Sequence, residues 1–232
     1  MNTKNKTSIL LGIAFLFQAI TAAISKGMLF DPLIVKDDIT QSMINIADKS
    51  WMLSANIIGQ MVTAMGIIFL GVMLYLSLKK QNKIIALVAL GFYVFEATLI
   101  AVSRIDAFSL IRISQEFVAL GQPEYLETMG KLALDATSYG YALHMLPFCI
   151  GAILFYSLLY KSKIISRVFS IWGLVTLIPC LVATIIEIFG TFVPIYVYLP
   201  YAPFEFVVGI WILVKGLKIN QEITENVKRR IK

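Results

Sequence analysis

Apolar residues in this chain come in long unbroken runs rather than in the alternating or one-in-three pattern of a water-soluble fold. Six runs stand out, at roughly 8–25, 51–78, 84–103, 136–160, 168–188 and 201–217. Each approaches the ~20 residues that a helix needs to cross a ~30 Å hydrocarbon layer. Stretches such as IIALVALGFYVF are apolar on every side, whereas a membrane barrel alternates with period two in ~10-residue pieces. The pattern predicts an all-α fold: a polytopic membrane bundle of six transmembrane helices, forming one domain over residues 1–232.

Between the runs the chain turns polar. A first outer loop, 26–50, holds Asp31-Pro32 as a turn signal, and Asp37, Asp38 and Thr40 are candidate caps for a short surface helix. A second, 104–135, contains IRISQEFVAL and PEYLETMGKLALD, both with helical spacing and separated by Gly121-Gln122-Pro123. This predicts short helices across the outer face, either as packing or as a lid. A polar tail, 218–232, follows the last run.

Composition agrees with the pattern. Hydrophobic residues make up 59% of the 232-residue chain and charged ones only 15%, against about a quarter charged in an ordinary globular domain. The charges also set an orientation. With the N-terminus inside, the inner segments hold Lys4, Lys6, Lys79, Lys80, Lys83, Lys161, Lys163, Arg167, Lys215, Lys218, Lys228, Arg229, Arg230 and Lys232, fourteen of the 20 basic residues. Lys26, Lys36, Lys49, Arg104, Arg112 and Lys131 share the outer loops with nine acidic residues. The positive-inside rule therefore predicts both termini in the cytoplasm. The first run ends ITAAIS, which also suits a secretory signal, but an uncleaved first helix keeps the charge pattern consistent.

Several function classes drop out. The net charge of +6 is spread over short inner segments with no aromatic-interleaved patch, so no nucleic-acid partner is expected. Cys149 and Cys180 fall inside predicted helices and the single His144 excludes a multi-histidine site, so no metal and no cofactor are expected. Membrane lipids are the expected partners. Gly59 and Gly66 on the second run, with Gly140 and Gly151 on the fourth, would permit close helix approach or a homo-oligomer contact.

Four stretches carry a resemblance: MLYLSLKKQNKIIALVAL, FEATLIAVS, LFYSLLYKSKIISRVFSIWGL and APFEFVVGIWILVKGL. With the helix spacing they cover nearly the whole chain, which resembles the bacterial multi-pass membrane proteins grouped as domain of unknown function 4386. The resemblance implies a six-helix architecture in a bacterial plasma membrane and no activity. Its pattern usually has proline before the arginine of the third inner turn, where this chain has Ser166 before Arg167.

The few polar residues inside the runs are the candidate chemistry. At 1.5 Å per residue from the nearest inner lysine, Glu96 and Glu205 come out at about 20 Å depth, His144 at roughly 25 Å, and Arg104 and Glu187 near 30 Å. Asn56, Gln60 and Thr63 line one face of the second run. An ionised group in lipid costs about 2.5–3.5 kcal/mol on insertion scales, so Glu96 is expected to face other helices. Glu96, Glu205, His144, Gln60 and Asn56 are candidate residues of an outward-opening polar cavity. Arg104, Asp106 and Glu187 are expected as outer-interface anchors, with Arg104 meeting Asp106, Glu187 or a lipid phosphate. Tyr196, Tyr198 and Tyr201 suit an interfacial belt.

Three functions stay open from sequence. One is a small transporter or binding protein for a proton or an amphipathic small molecule. Another is an intramembrane acid–base enzyme on a lipid-like substrate. The third is a structural, sensory or regulatory protein whose polar residues only hold helices together.

Overall fold

The computed structural model describes residues 3–191 and 193–217, so the tail over 218–232 lies outside the described residues. Helix α1 (Thr3–Ala23) runs on into a π-helical stretch, Ile24–Phe30, and a 3-10 turn, Asp31–Leu33. It is followed by α2 (Ile39–Asp48), α3 (Ser50–Leu78), α4 (Lys83–Ala119), α5 (Glu124–Ser162), α6 (Arg167–Ile188) and α7 (Phe204–Lys215). No strand ladder occurs among the described residues, only one isolated bridge between Val35 and Asp38. The fold is all-helical, and five helical stretches are long and apolar enough to cross a membrane: Lys6–Leu33, Ser50–Leu78, Lys83–Ala119, Glu124–Ser162 and Arg167–Ile188.

The sixth run does not become a sixth long helix. α7 has 12 residues and rises about 18 Å, well short of a ~30 Å hydrocarbon core. Pro194, Pro200 and Pro203 hold the preceding backbone in turns until Phe204, and Gly216, at φ 70°, stops the helix beyond Lys215.

The second outer loop also differs from expectation. Residues 104–135 are not a loop with two separate short helices. α4 continues unbroken through Arg104 for 37 residues, and α5 begins at Glu124 and runs for 39. The reason is a shared stripe: Ile100, Ser103, Ala107, Leu110, Ile111, Ser114 and Phe117 are all buried, at helical spacing with no breaker between them. The break falls where the sequence places it, with Gly121 at φ 76°, Gln122 at φ 64° and the Gln122 N–H returned to the Phe117 carbonyl at 2.8 Å. At ~1.5 Å per residue α4 spans about 55 Å, well beyond the ~30 Å of a hydrocarbon core. Its second half pairs with α5 beneath α2, over Leu33, Ile46, Leu53, Ala107 and Leu110 and a smaller cluster of Met43, Phe117 and Leu126. Of the candidate caps, Asp38 is the one used, accepting from Gln41 N–H at 2.8 Å.

Within the membrane-length part, α3, α4, α5 and α6 pack in sequence order, and α7 lies against α1. Their common core holds Phe15, Leu70, Leu74, Tyr93, Phe155 and Phe204, while large apolar residues such as Ile58, Met65, Leu87 and Val175 face outward. An apolar surface over an apolar core fits a lipid solvent. The glycines Gly59, Gly66, Gly140 and Gly151 face neighbours in the same chain: Ser25, Phe17 with Gln18, Ser103, and Phe92 with Tyr93. The third inner turn buries Ile164 and Ile165. Ser166 there has φ −60°, the angle a proline would impose.

At Gly173 an added Cβ would lie 2.6 Å from Tyr156 Cδ2 and 2.9 Å from Phe204 Cζ, both parts of packed rings. Gly173→Val is expected to lower unfolding stability by about 1–3 kcal/mol. Gly91→Ala, where a Cβ meets nothing within 4 Å, should show no such loss. Denaturant titration in micelles, followed by helical circular dichroism, compares the two.

Candidate functional site

The polar residues of the membrane-length helices form two separate groups. The inner one is built around the start of α7. Glu205 sits in the first turn of that helix, and Tyr201, four residues earlier, donates its hydroxyl to Glu205 Oε1 at 3.0 Å. Gln18 of α1 donates Nε2–H to Glu205 Oε2. The Tyr201 hydroxyl lies 2.7 Å from that of Tyr156 on α5. Because Tyr201 spends its one proton on Glu205, Tyr156 is the donor in that contact. Four side chains on α1, α5, α7 and the turn before α7 thus make one chain of hydrogen bonds.

Glu96 approaches this chain from α4. It is only 5% exposed, and its Oε2 is buried without a hydrogen-bond partner. One turn earlier, Tyr93 is 1% exposed and its hydroxyl is also unpartnered. Tyr93 lies on the turn of α4 that packs on α5 at Gly151 and Phe155, the residue before Tyr156. Tyr93 is fixed there by an edge-on contact with Phe155, 5.2 Å between centroids.

The outer group lies toward the other end of α3, α4 and α5. Asn56 is buried and donates Nδ2–H to the Ser25 carbonyl in the π-helical stretch at 2.7 Å. Arg104 Nη1 approaches Asn56 Oδ1 at 3.5 Å, and Nη2 donates to Ser103 Oγ at 2.9 Å. His144 stands edge-on to Tyr141, 5.0 Å between centroids.

The five expected cavity residues are therefore not brought together. Glu96 and Glu205 share the inner group. Asn56 belongs to the outer one, and His144 lies within reach of the Arg104 charge there. Gln60 is half-buried and bonds to no described residue. The polar face of α3 fastens to α1: Asn56 holds Ser25, and Thr63 donates to Thr21 Oγ1 at 2.9 Å. Two hollows mark the apolar surface, about 370 Å³ between α4 and α5 and about 260 Å³ between α3 and α4. Neither is lined by any of the five, although Asp106 lines the larger.

The anchors need correction as well. Arg104 bonds Asn56 and Ser103 rather than Asp106 or Glu187, because its side chain turns into the bundle. Glu187 instead accepts from Tyr198 at 2.9 Å. Of the three tyrosines expected in a belt, Tyr196 is 66% exposed, but Tyr201 is 8% exposed and part of the inner network. Gln18, Tyr93 and Tyr156 escaped sequence reasoning. The signal available was a lone glutamine within FLFQAI and tyrosines placed mid-run instead of at a run's end. Among the described residues no three His, Cys, Asp or Glu side chains cluster as metal ligands would.

Compared with known proteins, residues 10–216 match a family model described as Domain of unknown function (DUF4386). Neither a curated protein nor a solved structure matches the chain.

The inner network makes its own forecast. Tyr201→Phe removes the donor to Glu205 and the acceptor of Tyr156 together, and should cost about 1–3 kcal/mol for the buried groups left unpaired. Tyr196→Phe, at the exposed end of the same turn, should be neutral within error. Unfolding in mixed micelles measures both.

Proposed function

The chain belongs to the DUF4386 family, and on that premise we propose that it is a multi-pass protein of the bacterial plasma membrane, crossing six times with both termini cytoplasmic. We propose further that Glu96 and Glu205 are the proton-binding pair of a small transporter or ligand-binding protein. One feature supports the topology. The Leu217 N–H, just past α7, donates to Ser8 Oγ near the start of α1 at 3.2 Å, so the two ends of the bundle chain lie on one face. An even number of crossings puts them there, with α7 as the sixth.

One observation carries the functional reading: a buried carboxyl group, Glu96, has an oxygen with no hydrogen-bond partner, and a second carboxyl group, Glu205, stands at the start of the short helix α7. Intramembrane carboxyls of this kind mark proton and substrate paths. Glu205 is oriented by Gln18 and Tyr201, and Glu96 is left to gain or lose the proton. A purely structural role has support as well, since both Glu205 oxygens already bind helices together.

Glu96→Gln and Glu205→Gln separate the two readings. In proteoliposomes with an entrapped pH dye, each is expected to reduce proton uptake at least ~10-fold, more than a 1.4 kcal/mol loss. Uptake equal to that of the parent chain, in both variants, rules the proton pair out. For topology, Gln122→Cys should react with a membrane-impermeant maleimide in intact cells, and Gln81→Cys only after permeabilisation. The reverse pattern would invert the orientation.

A further inference from the structure

At the outer end of the bundle a cation stands in no ion pair with any described residue. Arg104 lies on α4 about 12 Å beyond Glu96 along the helix. Its bonds go only to neutral groups: Ser103 Oγ at 2.9 Å and, at the 3.5 Å limit, Asn56 Oδ1. Its Nε is buried with no partner. From α5, His144 Nδ1 is buried with no hydrogen-bond partner either, and His144 stands one turn beyond Gly140, which packs on Ser103, the residue that Arg104 bonds. Asn56 cannot turn to help, since its Nδ2 is held by the Ser25 carbonyl. Acidic side chains do not close the gap. Asp106 reaches Arg104 only through space, Glu187 is engaged by Tyr198, and the one ion pair among the described residues is Lys26–Asp31.

A guanidinium near the hydrocarbon boundary is costly unless something negative meets it. Two orphaned polar atoms from two helices, beside a guanidinium in no ion pair, describe the missing group. We infer that Arg104 and His144 hold a single oxyanion, a carboxylate or phosphate group, between α3, α4 and α5. The free Nε–H and the second hydrogen of Nη2 form one edge of the guanidinium fork, the edge that meets two oxygens of such an anion in parallel. His144, as the Nδ1–H tautomer, donates to the same group. Lys26 lies 6.0 Å over the ring of Tyr141, and Tyr141 is edge-on to His144, so a second cation flanks the approach. This site is distinct from the Glu96–Glu205 pair and stands or falls without it.

The anion can be soluble or the head of a lipid, and the test separates the two. Inorganic phosphate and sodium acetate are titrated separately into the purified full chain in neutral detergent, with sodium chloride at matched ionic strength, and thermal unfolding is read by tryptophan fluorescence. In parallel, retention of phosphatidylglycerol against phosphatidylcholine is measured by native mass spectrometry. Saturable stabilisation beyond chloride assigns a soluble oxyanion, and selective retention of phosphatidylglycerol alone assigns a headgroup. Either effect should weaken at least ~10-fold in Arg104→Gln and in His144→Gln and persist in Arg112→Gln, at an exposed outer position. Should Arg104→Gln not fold, Arg104→Lys keeps the charge without the fork and is expected to bind more weakly than the parent. The inference is overturned if no probe exceeds chloride and no lipid is selected. It is equally overturned if the folded Arg104 and His144 variants bind like the parent.

Discussion

Water is missing from the middle of a bilayer, and a chain with five helices long and apolar enough to cross one is built to that constraint. A polar side chain on a membrane helix must find its partner on another helix, because lipid offers none. Gln18, Glu205, Tyr201 and Tyr156 answer it together: one glutamine, one carboxyl and two phenols join α1, α5, α7 and the turn before α7. The short last helix depends on this most. Too brief to be held by length, α7 is fixed by Glu205 at its start and by the Leu217–Ser8 bond beyond its end.

Packing supplies what hydrogen bonds do not. Helices in lipid gain little from burying apolar surface, so close contact and fitted shapes carry the association. Here glycines meet aromatic rings across the crossings: Gly151 faces Phe92 and Tyr93, and Gly173 faces Tyr156 and Phe204. The same rings carry the inner hydroxyls, so a tight crossing also sets where Tyr93 and Tyr156 point. Rigidity of the core and placement of the polar network are one arrangement, and the two orphaned groups beside it, the Tyr93 hydroxyl and Glu96 Oε2, are held in place rather than free to seek partners.

The two polar levels differ in kind. The inner level is acidic and mostly satisfied, with Glu96 Oε2 and the Tyr93 hydroxyl as its exceptions. The outer level is cationic, with Arg104 in no ion pair and its Nε, like His144 Nδ1, in no hydrogen bond. Tyr93, Glu96 and Arg104 all lie on α4, the helix that continues into the layer beneath α2.

Length and hydrophobicity add up residue by residue, so the sequence alone determined the helical class, five of the runs, the Gly121-Gln122-Pro123 break and the burial of Glu96. It also showed a stripe of apolar residues past Arg104, yet not that the stripe belonged to the same helix as the run before it. The sixth run was legible as apolar but not as short, because the prolines before Phe204 act through backbone geometry. Which polar groups meet was decided only by tertiary structure. Gln18 and Glu205 are 187 positions apart, and Arg104 chose Asn56 over the acids nearest it in sequence or depth. Depth along a helix can be counted from a lysine, but the direction a side chain faces and the helix it faces are set by how the bundle closes.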